Sequence, residues 1–97
     1  MAKGYWVSCY HSISNPEALA AYAKLAGPAI ANAGGRFIAR ADAAKAYEAG
    51  VAQRVVLIEF DSVEKATACH DGAEYQAALK VFGNAAKRDL RIVEGLA

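Results

Sequence analysis

Glu59 is an acid placed one residue from the end of an otherwise apolar run, "RVVLIEF", and Arg40 closes the run "GGRFIAR" upstream of it. Side chains alternate along a strand, so Val56, Ile58 and Phe60 share one face while Val55, Leu57 and Glu59 share the other. If the two runs pair, Arg40 comes within reach of Glu59. An unpaired buried carboxylate costs several kcal/mol, so Glu59 must have a partner, hold a proton or reach water. Three readings follow: a structural ion pair at an interface, a ligand-binding or acid/base group with Arg40 as counter-ion, or plain exposure at a strand end. Glu59 and Arg40 are the catalytic candidates, with His11 or His70 as further acid/base groups.

The first apolar run, "GYWVSCYH", adds aromatics. Trp6 and Tyr10 share one parity, Tyr5, Val7, Cys9 and His11 the other. On an open sheet face, Trp6 and Tyr10 would line an apolar pocket; as core or interface residues they need no ligand. Tyr75 falls on a helical stripe, where core packing is the ordinary role. The candidate ligand-binding set is therefore Trp6, Tyr10, Arg40, Glu59 and Tyr75.

Other chemistries fit poorly. Cys9, His11, Cys69 and His70 form a zinc-finger inventory at the wrong spacing, with no CxxC and no paired histidines on one helix face, so no metal is expected. Two cysteines do not make a disulfide framework, and reduced thiols are the default. Eleven Lys and Arg against ten Asp and Glu leave a formal charge of +1 with no basic block, which argues against nucleic acid and anionic membranes as partners. An RNA-recognition sheet would need aromatics where this one has Val55, Leu57 and an acid. Gly34 and Gly35 end a helix, where a phosphate cradle would begin one. Neither a signal-peptide core nor an apolar segment of membrane-spanning length is visible, so a soluble, cytoplasmic protein is expected.

The elements that must position these residues read in order. Residues 4–11 are a strand. Asn15 as N-cap and Pro16 at the first helical position open a helix that closes on Gly34 and Gly35, with Leu19, Tyr22, Ala23, Ala26 and Ile30 on one stripe. Pro28 should bend or interrupt its last turns. Residues 36–41 are a short strand. The Ala, Lys and Glu content of residues 41–52 favours helix, but the segment is too poorly striped to bury a face, and a hairpin arm is preferred. Residues 53–60 are the clearest strand. Asp61 with Glu64, and Asp71 with Glu74, have capping-box spacing for two successive helical pieces, and residues 88–95 are the last strand. The result is one α+β domain over residues 1–97, a ferredoxin-like β-α-β-β-α-β sandwich with an antiparallel sheet and an extra hairpin arm.

Two helices cover one face of such a sheet, yet "RVVLIEF" is apolar on both. A second copy of the sheet is the economical cover, so a homodimer with facing sheets is expected.

In this order, "GGRFIAR", "RVVLIEFDSVEKATACHDGAEYQAA" and the terminal "DLRIVEG" resemble the small bacterial proteins grouped as domain of unknown function 1330. The resemblance covers nearly the whole chain. It implies a ferredoxin-like fold that dimerises as an α/β barrel, as in the cofactor-independent antibiotic-biosynthesis monooxygenases, and a strand pair for residues 41–53. It raises Tyr75 as a pocket hydroxyl, and it brings no established activity. The expected function is a homodimer with a pocket at the sheet face that binds or transforms a small organic molecule without cofactor, at most by oxygenase- or isomerase-like chemistry. The competing class is a binding or assembly protein whose open face only makes the dimer.

Overall fold

The computed structural model describes residues 2–96. The chain runs β1 (Gly4–Ile13), α1 (Pro16–Asn32), β2 (Arg36–Asp42), β3 (Arg54–Phe60), α2 (Val63–Asp71), α3 (Ala73–Phe82) and β4 (Ala86–Glu94). The strands form one sheet in the order β2-β3-β1-β4, antiparallel throughout, which is the ferredoxin-like arrangement. Helices cover the face that carries Trp6, Ser8, Tyr10, Val56, Ile58 and Phe60, all buried. The other face carries Tyr5, Val7, Cys9, Val55, Leu57 and Glu59, each partly exposed.

Local sequence explains the ends of α1. The Asn15 side chain accepts from the Ala18 amide at 3.1 Å, and Pro16 follows where a missing N–H is harmless. At the other end, the amides of Gly35 and Gly34 bond the carbonyls of Ile30 and Ala31, with Gly34 at φ 90°. This is a Schellman closure, and a residue with a Cβ would be strained at Gly34. The helix passes through the exposed Pro28, so of the two expected effects, bending and interruption, interruption does not occur.

Residues 43–53 form neither a helix nor a further strand pair. The Ala43 amide bonds the Gln53 carbonyl, and a turn then closes from Gly50 to Tyr47, with Glu48 at φ 55°. The expected arm is thus the irregular tip of the β2–β3 hairpin. Its alanines offer no β-branched or aromatic cross-strand pairs to hold a ribbon.

The second helical region breaks at Gly72, as expected, but its cap lies one residue later than Asp61: the Ser62 hydroxyl accepts from the Lys65 amide at 3.1 Å. Gly72 itself gives α3 no side-chain cap. Gly4 lies where β1 passes under the start of α2, and a Cβ there would stand 2.6 Å from the Ser62 carbonyl oxygen. The Trp6 indole N–H donates to the Ala66 carbonyl at 2.9 Å and fastens α2 to β1.

Candidate functional site

On the helix-covered face, the pairing registers set side chains in rows across the sheet. Phe37, Ile58, Trp6 and Ile92 form one row, and Arg40, Val56, Ser8 and Leu90 the next. A third runs from Arg54 past Tyr10 to Arg88, since Tyr10 faces Arg88 and Arg54 precedes Val55, the partner of Cys9. Above these rows lies α1, which contributes Leu19, Tyr22, Ala23, Ala26 and Ile30. Between them is a cleft with about 60 Å³ of interior space, enough for a few waters or part of a small ligand. Its walls are mostly apolar or aromatic, and its charged lining groups are the three guanidinium groups of Arg40, Arg54 and Arg88.

Arg88 has no carboxylate partner among the described residues. Its Nη1 donates to Tyr10 Oη at 3.1 Å, and to Tyr22 Oη and Ser8 Oγ at 3.4 Å each, while Nη2 donates to Tyr75 Oη at 3.1 Å. The guanidinium carbon also lies 4.4 Å from the centroid of the Phe82 ring, 5.3 Å from that of Tyr22 and 5.5 Å from that of Tyr10, where ring quadrupoles attract a cation. Burial works against the charge on Arg88, but the phenol oxygens of Tyr22, Tyr75 and Tyr10 outweigh it, and the group stays protonated.

Tyr22 and Tyr10 are donors at neutral pH. Burial pushes the Tyr22 phenol well above its ordinary value, against the pull of Arg88, and raises Tyr10 for the same first reason. Tyr22 Oη and Tyr75 Oη are 2.6 Å apart, so one donates to the other. Arg88 Nη1 has two hydrogens for its three oxygens, so one is shared, and the hydroxyl hydrogens of Ser8 and Tyr10, and one from the tyrosine pair, have no acceptor among the described residues. The cleft is therefore a concentration of donors and positive charge in an apolar setting. It suits an oxygen that bears negative charge, and among the described residues it holds no carboxylate or imidazole to take up a proton.

The expected site residues divide between the two faces. Trp6 and Tyr10 lie on the helix-covered face, not on the open one, and both line the cleft. Tyr75, 1% exposed, stands behind the cleft with its hydroxyl on Arg88. Arg40 also lines the cleft, because the register of β2 against β3 shifts between Phe37 and Ala39. This bulge at Ile38 reverses the facing of the residues after it, so Arg40 comes opposite Val56 and its guanidinium lies over Phe37, 4.7 Å from the ring centroid.

Glu59 meets Arg36, its partner in the strand register, instead of Arg40. Arg36 Nε donates to Glu59 Oε1 at 3.0 Å and Nη2 to Asp61 Oδ1 at 3.0 Å, while Tyr5 Oη donates to Glu59 Oε2 at 3.2 Å. The hydrogen bond from Arg36 holds the Glu59 carboxyl below its usual range and does the same for Asp61. On this face, the tip of the β2–β3 hairpin reaches over β1 and β3, and Tyr47 and Val51 share a shallow hollow with Val7, Cys9 and Val55. Cys9 lies there, while Cys69 is on the buried side of α2, its thiol pushed up to about 11 by burial. His11 pairs with Asp89 and His70 with Asp71, both at the surface.

Arg88, Tyr22, Ser8 and Arg54 were not among the expected site residues. The alternation that singles out Glu59 in β3 also puts Arg88 in line with the apolar Leu90 and Ile92 of β4, and that was the available signal.

Residues 3–96 match the domain of unknown function DUF1330. The chain belongs to that family. No functionally curated protein matches the sequence. Among solved structures, the family member is similar to RPA0582, a protein of unknown function from Rhodopseudomonas palustris, with TM-score 0.78 at 17% identity over 99% of this chain and 84% of that one. It is also similar to SnoaB, a cofactor-independent oxygenase from Streptomyces nogalater, with TM-score 0.68 at 8% identity over 100% and 96%. A dimeric ferredoxin-like protein of unknown function from Thermobifida fusca gives 0.65 at 15% identity over 99% and 92%. At these identities the likeness is one of fold.

Proposed function

We propose that this DUF1330 protein binds a small organic anion in the cleft between α1 and the sheet, with the negative oxygen on the Arg88 and tyrosine cluster and the apolar body against Trp6, Ile58 and Ala26. The observation that carries the reading is Arg88 itself, a cation at the cleft whose neighbours are hydroxyls and rings, with no carboxylate partner among the described residues. A ligand carboxylate would supply the missing counter-charge and accept the hydroxyl hydrogens left without partners. If the bound molecule reacts, the donors would stabilise an oxyanion or enolate, and any base would have to come from the substrate or from water. Glu59, on the opposite face and engaged by Arg36 and Tyr5, has a structural role in this reading.

The same reading pairs the chain with a second copy through its open face. Val7, Val55 and Leu57 are half-buried there and Val93 is 51% exposed, an apolar strip too broad to leave in water. The dimeric character of the Thermobifida fusca protein supports this arrangement.

Melting temperatures measured with carboxylic acids and with the matching neutral amides test the binding role, because a ligand that binds only the folded state raises the midpoint. Stabilisation by the acids and none by the amides is expected. Equal shifts with both, or none with either, would remove the anion site.

A further inference from the structure

The cleft carries more positive charge than one carboxylate needs. Arg40 and Arg54 line it together with Arg88, and neither takes part in an ion pair or a side-chain hydrogen bond among the described residues. Asp42 stands opposite Arg54 in the register of the edge strand but forms no ion pair with it and does not line the cleft. The two groups also sit apart from Arg88. Arg40 is on β2 and Arg54 on β3, whereas Arg88 is on β4, with β1 between. At the ordinary spacing of neighbouring strands, the Arg54 and Arg88 backbones are about 9 to 10 Å apart across the sheet. Between the two poles the floor is Tyr10, Ser8 and Val56, and the roof is the apolar stripe of α1.

Building on the proposed anion site, we infer that its ligand is a dianion, a dicarboxylate with a short apolar spacer, one carboxylate on the Arg88 hydroxyl cluster and the second between Arg54 and Arg40. Each pole lacks a counter-charge among the described residues, and between them Val56 and the apolar roof of α1 favour methylenes. A monoacid would neutralise one pole and leave the other unpaired. The half-buried Arg54 provides the fixed part of the second pole, and the exposed Arg40, whose guanidinium lies over Phe37 in the neighbouring row, would swing off that ring to join it.

Titration calorimetry with adipate and hexanoate, which share a chain length and differ in one carboxylate, tests this. Wild-type protein should bind adipate about tenfold or more tightly than hexanoate, the range of one added charge-assisted contact. The Arg40→Gln/Arg54→Gln double variant, checked for native circular dichroism, should bring the two affinities together. Equal wild-type affinities, or an adipate preference that survives in the double variant, would overturn the dianion and leave the Arg88 site standing. Binding of neither acid would overturn both.

Discussion

The hydroxyls of Tyr22 on α1 and Tyr75 on α3 lie 2.6 Å apart, and Arg88 donates to both. Two helices and the edge strand β4 are thereby joined at one buried polar point. Tyr75→Phe removes an acceptor of Arg88 and breaks the tyrosine pair, so it should destabilise the fold by about 1 to 2 kcal/mol. Combined with Tyr22→Phe, the loss should be less than the sum of the two single changes, since both act on one network. Urea unfolding of the single and double variants measures this.

Alkaline stability should report on the same cluster. Burial raises the phenol pKa of Tyr22 and Tyr10 in the folded state above the unfolded value. Their contribution is therefore complete below the unfolded phenol value, about 10, and is lost as pH rises beyond it toward the folded one. Tyr22→Phe should flatten the fall in melting temperature above about pH 10. An unchanged alkaline limb would mean that Tyr22 ionises as readily folded as unfolded.

The ion pair on the open face predicts the opposite limb. Glu59 and Asp61 have folded-state pKa values depressed mainly by Arg36, so their contribution is present above the ordinary carboxylate range and is lost as pH falls through the lowered values. Arg36→Gln should reduce the acid sensitivity of the melting temperature. Glu59→Gln should leave carboxylate affinity in the cleft unchanged, because the sheet separates the two; a large drop would put Glu59 back in the site.

Leu57 lies on the apolar strip of the open face. Leu57→Glu would place a further charge beside Glu59 and, in a facing copy, bury it against the partner's sheet. Light scattering at micromolar concentration should show a dimer for the wild type and a monomer for the variant.

Much of this arrangement was legible because strands alternate. In β3 the rule sorted Val56, Ile58 and Phe60 from Val55, Leu57 and Glu59, and the structure keeps that division. It could not foresee the register that sets Arg36 opposite Glu59, nor the bulge at Ile38 that turns Arg40 to the helix-covered face. For β1 the grouping of Trp6 with Tyr10 was right and the face was wrong, since both parities carry bulky side chains and only the helix contacts decide between them. Arg88 escaped notice because its partners are phenols from distant elements. A half-buried cation without a nearby acid leaves no charge pattern in the sequence.

The most direct test is calorimetric titration of hexanoate into the wild type and into Arg88→Met, each with its fold verified by circular dichroism. Methionine keeps the apolar bulk beside Phe82 and removes the charge. A saturable heat with the wild type that disappears, or weakens at least about tenfold, in the variant is the predicted result. Equal affinity in the two proteins would contradict the account.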